Sequence, residues 1–168
     1  MLEKLTKEQE AIMLQTRDEW INLFFDNVKS QKGIDKPMFE DGIKWLYNDL
    51  LNKPTPKVVY CDSWLSCLFT IAILKDKKHV GDSVWDSVGD SVRDSFSEYS
   101  SYMDLSNYGW ISFYDFFEKI NVFDNFKFKQ YKKIIKSGIF QAYEYENFVF
   151  AVQPPISISR DERGRLHS

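Results

Sequence analysis

Pro54-Thr55-Pro56-Lys57-Val58-Val59-Tyr60-Cys61-Asp62-Ser63 is the stretch on which the fold turns. Its prolines hold the residues before them extended, so the chain runs straight into a β-branched segment, Lys57 to Cys61, that reads as a short buried strand. Asp62 and Ser63 supply side-chain oxygens of the kind that cap a helix. Trp64 to Leu74 follows, apolar on nearly every side, and a helix of that character is expected inside the fold.

Upstream, Thr6 followed by Gln9 fits a capping box. Met13/Leu14, Trp20/Ile21 and Phe24/Phe25 recur at helical spacing, which predicts a first amphipathic helix from about Lys7 to Asn27. Gly33 breaks it. Pro37 suits the first turn of a second helix, striped by Phe39, Ile43, Leu46/Tyr47 and Leu50 and stopping before Pro54. Downstream of a polar link at Ser106 to Gly109, Trp110, Phe113/Tyr114, Phe117 and Ile120 mark another helix. From about Asn125 to Lys136, Phe128, Tyr131 and Ile135 take one side of a further helix and Lys129, Lys133 and Lys136 the other, with Gly138 as its C′ residue.

Ile139 to Tyr143 and Phe148 to Val152 read as a β-hairpin ended by Pro154-Pro155. Ile156 and Ile158 alternate with serine before Asp161-Glu162-Arg163-Gly164, a second tight turn. The fold expected is α+β: a mostly helical single domain over residues 1–168, with one short strand near 57–61 and a small antiparallel β element in 138–168.

Between these elements lies a four-residue repeat: Gly81-Asp82-Ser83-Val84, Trp85-Asp86-Ser87-Val88, Gly89-Asp90-Ser91-Val92, Arg93-Asp94-Ser95-Phe96. On a strand, Asp and Val would share a face. On a helix, Val84, Val88, Val92 and Phe96 form a stripe, which predicts a helix from Val80 to about Ser100 against the weak helix propensity of Gly, Asp, Ser and Val. The repeat, Pro56 to Ser63 (PKVVYCDS), Ser112 to Phe117 (SFYDFF) and a closing Asp-Glu-x-Gly-Arg-Leu-His at Asp161 to His167 together resemble a bacterial family of unknown function. The resemblance implies no activity and no catalytic residues.

Composition narrows the class. Aromatics at 17% are offset by charged residues at 28%, a globular rather than a disordered profile. Residues 1–10 lack the apolar run of a secretory signal, and 64–74 is too short to span a bilayer, so a cytoplasmic protein with no membrane partner is expected. The net charge of −3 hides an asymmetry: 14 basic against 21 acidic residues through 124, then 8 against 4.

Three groups of residues are candidate sites. Asp82, Asp86, Asp90 and Asp94 would repel one another on a helix and invite a cation, but their spacing is not that of a calcium loop, and a solvated acidic face accounts for them equally. Cys61, Asp62 and Ser63 sit where a strand gives way to a helix, a place where thiolates and anions are held. No G-x-S-x-G frame surrounds Ser63, the nearest histidine is His79, and capping explains the same residues. Lys129, Lys133 and Lys136 with Arg160, Arg163 and Arg165 form a basic set able to track phosphates or an acidic protein, with Phe126 or Tyr131 to stack on bases; the alternative is an ordinary amphipathic helix.

No P-loop, dinucleotide fingerprint, H-E-x-x-H or paired-cysteine zinc motif occurs, so no cofactor is expected. By exclusion the reading is a non-enzymatic protein-interaction or regulatory module with an acidic protein partner. Nucleic-acid binding through the basic C-terminal third is the alternative, and an enzyme built on the Cys61–Ser63 turn is the third. Oligomeric state is left open.

Overall fold

Lys57–Cys61 forms the expected strand, and its pairing organises the molecule. The structure, a computed structural model, describes residues 4–75, 101–103, 106–145, 147–159 and 162. In chain order these form α1 (Lys7–Ser30), α2 (Lys36–Lys44) continued by a π-helical turn (Trp45–Leu50), β1 (Lys57–Cys61), α3 (Trp64–Lys75) and β2 (Ser101–Met103). α4 (Ser106–Lys119), α5 (Phe126–Lys136), β3 (Gln141–Glu144) and β4 (Phe148–Val152) follow. The expected tetrad helix lies outside the described residues.

Local chemistry sets most boundaries. Thr6 and Gln9 make the reciprocal capping box that starts α1. Asp35 accepts from the Met38 amide at the head of α2, and Asn125 does the same for Phe128 at the head of α5. Gly138 follows α5 in the left-handed region at φ 87°, the conformation that frees a chain from a helix. The expected link at Ser106 to Gly109 is instead the first turn of α4.

β3 and β4 form the expected antiparallel hairpin, with Tyr143 opposite Phe150. β4 takes β1 on its other edge in parallel, Lys57 opposite Phe148 through Cys61 opposite Val152. β2, which no pattern in the sequence announced, pairs antiparallel with β3. The sheet is therefore mixed, in the order β1-β4-β3-β2. Ile156 and Ile158 do not extend it: residues 153–159 carry no strand, and Ile156 is 79% exposed.

Alternation along the strands divides the core in two. On one face, Val58, Tyr60, Ala142, Val149 and Ala151 pack with Trp20, Phe39, Ile43, Tyr47, Ile111, Ile134 and Ile135 from α1, α2, α4 and α5. Gly42 lets α2 approach α5 closely, since a Cβ there would meet Ile134 Cγ1 at 2.3 Å. On the other face, Val59, Cys61, Tyr143, Phe150 and Val152 meet Cys67, Ile71 and Leu74, all from α3. Four helices thus cover one side of the sheet and, among the described residues, α3 covers the other.

Glu144 is buried on the strand that Ala142 occupies, near enough to Tyr47 for its charge to help raise the Tyr47 hydroxyl, with 5% of its surface exposed. Burial pushes its carboxyl from 4.5 up to about 7. Between those values the folded chain keeps a proton that the unfolded chain has released, so folding stability falls as pH rises through this window and stays lowered above it. The penalty is on the order of 3 kcal/mol. Glu144→Gln should therefore be more stable than the parent at pH 8 and lose that advantage by pH 4.5, measured by urea melts across the range. A gap between the two that does not change with pH would refute this.

Candidate functional site

The strand-to-helix turn is arranged for capping. Ser63 Oγ accepts from the Ser66 amide while Ser66 Oγ accepts from the Ser63 amide, a reciprocal cap on α3. Cys61 and Cys67 are both free and buried, hydrogen-bonded to each other across the β1–α3 junction. Burial raises the Cys61 thiol and pushes that of Cys67 up to about 12, so neither is a thiolate near neutrality. His79 lies outside the described residues.

The lysines of α5 divide by environment. Lys132, which the sequence does not set apart from its neighbours, is 17% exposed and bonds Asp115 Oδ1 at 2.6 Å and the Glu118 carboxylate. Trp20 donates its indole N–H to Asp115 Oδ2 at 2.9 Å, and Lys119 bridges Glu19 and Thr16, so a charged cluster ties α1, α4 and α5 together. Burial raises the Asp115 carboxyl, but the hydrogen bonds from Lys132 and Trp20 outweigh it and hold the group below the ordinary carboxylate range.

Of the lysines singled out from the sequence, Lys129 pairs with Asp124 at 2.7 Å and Glu118 at 3.6 Å. Lys136 sits 5.4 Å over the Trp20 ring. Lys133 and Lys127 are exposed and make no ion pair among the described residues. Arg160, Arg163, Arg165 and the four tetrad aspartates lie outside the described residues, among which no cluster able to hold a metal ion occurs. An open groove of about 570 Å³ between α2 and β1 is lined by Glu40, Asp41, Lys44 and Lys57, charges of both signs, together with Thr55, Pro56 and Val58.

A further surface feature is one that sequence pattern assigned to the interior. α3 is not enclosed. Cys67 and Ile71 face the sheet, whereas Trp64 is 51% exposed, Leu65 58%, Phe69 60% and Ile73 53%. Leu65, Phe69 and Ile73 recur every four residues and so share the outer face. The polar groups along it are satisfied within the chain: Trp64 donates its indole N–H to the Tyr143 hydroxyl at 2.7 Å, Thr70 Oγ1 to the Ser66 carbonyl and Ser66 Oγ to the Ser63 carbonyl. The four-residue spacing was legible. What the sequence lacked was any sign that the sheet face receives helices from one side of α3 alone.

Among the described residues, no helix is long and apolar enough to cross a membrane. No family model, curated protein or solved structure matches the chain.

Two measurements check these assignments. Lys132→Met, which leaves the buried Asp115 with only the Trp20 indole and the more distant Lys119 as partners, should cost about 3 kcal/mol, whereas Lys133→Met one residue on should change stability by less than about 0.5 kcal/mol. Equal effects in chemical denaturation would show that the cluster does not hold the helices together. In the folded chain neither cysteine should react with an aromatic disulfide reagent except as fast as the protein opens, and both should react after unfolding without reductant. Rapid labelling of the native chain would mean that the Cys61–Cys67 pair is accessible.

Proposed function

We propose that this chain is a non-enzymatic protein-interaction module and that the outer face of α3 is its docking surface. The observation that carries the reading is a row of large apolar side chains, each half or more exposed, on a helix whose polar groups are already satisfied. Single exposed apolar residues are ordinary, but a contiguous row of four marks a surface that another molecule covers. Covering on the order of 400–500 Å² of such surface is worth roughly 10 kcal/mol before the costs of association.

Trp64 strengthens the reading. Its ring is held by the bond to Tyr143 while half of it faces solvent, so it presents a preorganised aromatic anchor of the kind that dominates binding energy at interfaces. The resemblance of the tetrad and neighbouring segments to a family of unknown function adds no activity to this reading.

Two other readings have less support. Contact with an acidic protein or a nucleic acid through α5 has Lys127, Lys133 and the exposed Phe126 to offer, but Lys129, Lys132 and Lys136 are engaged with groups of the chain itself. An enzyme at the Cys61–Ser63 turn would need a thiolate or a free hydroxyl, and burial and capping occupy both.

Phe69→Glu is the direct test. The parent should enhance the fluorescence of an anilinonaphthalene sulfonate dye in its native state, and the variant should lose most of that signal while its melting temperature stays within about 2 °C of the parent's. A large drop in melting temperature, with no dye binding to the parent, would mean that the face is covered within the chain and would end the proposal.

A further inference from the structure

We infer that the occupant of the α3 face is a second copy of this chain, packed α3 against α3 in antiparallel orientation; this rests on the docking reading above. Three observations select a self-complementary partner. From Trp64 to Leu74 the helix carries no charge, so two copies of the same face meet without the like-charge repulsion that self-contact of a charged surface incurs. With its indole, hydroxyl and thiol groups bonded within the chain, the face asks a partner for apolar area alone, which is what a second copy presents. Within residues 62–75, charge appears only at the two ends, Asp62 before the first turn and Lys75 at the last position of α3.

The ends set the orientation. A two-fold axis across the middle of α3 places the N-terminal end of one helix beside the C-terminal end of the other. Asp62 of each copy then lies alongside position 75 of its partner, and the helix dipoles oppose one another favourably. A parallel arrangement would set Asp62 against Asp62 and Lys75 against Lys75. Ala72, exposed between Phe69 and Ile73, leaves room for the helices to approach. The exposed row offers about 400–500 Å² per copy, so the pair reaches only about the lower limit of specific interfaces, and the dimer is a weak one with a dissociation constant in the micromolar range.

Sedimentation equilibrium of the full chain, from low to high micromolar concentration, tests this. The expected result is a reversible monomer–dimer equilibrium that Phe69→Glu abolishes without unfolding the chain. Asp62→Lys alone should weaken the dimer at least threefold, and combining it with Lys75→Glu should restore it, since each variant end again faces an opposite charge. Because both positions lie at the ends of the helix, these charge variants test the pairing even if Phe69→Glu proves unstable.

A parent that stays monomeric throughout overturns self-pairing. If that monomer still binds the dye and Phe69→Glu loses it, the docking reading survives with another partner; if dye binding is also absent, both fail. A dimer that persists in Phe69→Glu forms elsewhere and overturns the inference. A dimer weakened by the single charge reversal and not restored by the double overturns the antiparallel arrangement.

Discussion

Everything in this fold depends on the parallel pairing of Lys57–Cys61 with Phe148–Val152. The two strands are separated by about half of the chain, so bringing them together carries a loop-closure cost that burial must offset. In return the pairing fixes which side chains face which way. A slip of one residue would exchange Val58 and Tyr60, which face α1, α2, α4 and α5, for Val59 and Cys61, which face α3. The identity of both half-cores is set at this one ladder.

The consequence is an uneven distribution of helices. On the better covered face, Phe39, Ile43 and Ile134 are fully enclosed and Gly42 gives up its side chain to bring α2 against α5. On the other, α3 reaches the sheet through Cys67 and Ile71 and turns Leu65, Phe69 and Ile73 away from it. A helix that is apolar all round is ordinarily enclosed all round. Here the same composition serves two purposes, core on one side and open surface on the other. The polar groups along the exposed side are satisfied within the chain, by Ser63, Ser66 and Tyr143.

Where a feature is governed by neighbours in the chain, it was legible from the residues. Thr6, Asp35 and Asn125 cap the helices expected to start near them, Gly138 ends α5, and the β3–β4 hairpin falls where alternation put it. Features governed by distant partners were not. No periodicity in Lys57–Cys61 says whether it pairs in parallel or antiparallel, Ser101–Met103 is too short to announce itself, and Ile156 and Ile158 alternate like a strand but find no ladder to join. The misreading of α3 has the same origin. Its residues report their own hydrophobicity faithfully, but whether a second layer lies over them is a property of the topology.

Charge illustrates the same limit from the other direction. The basic surplus after residue 124 suggested a surface held open for an acidic ligand, yet α5 packs beside α4, whose Asp115 and Glu118 belong to the acidic part of the chain. Segregation along the sequence is undone in space within one helix pair, and Lys132 becomes a structural ion enclosed with its partners rather than a ligand for something outside. Desolvation consumes most of the Coulomb gain in such a buried cluster, so its formation adds less to stability than the loss of one partner takes away. The apolar row on α3 has no such internal counterpart among the described residues. Of the lysines that sequence reasoning weighed as working or structural, Lys129 and Lys136 are engaged within the fold and Lys133 makes no ion pair among the described residues, whereas the apolar helix expected inside the fold turns one side outward.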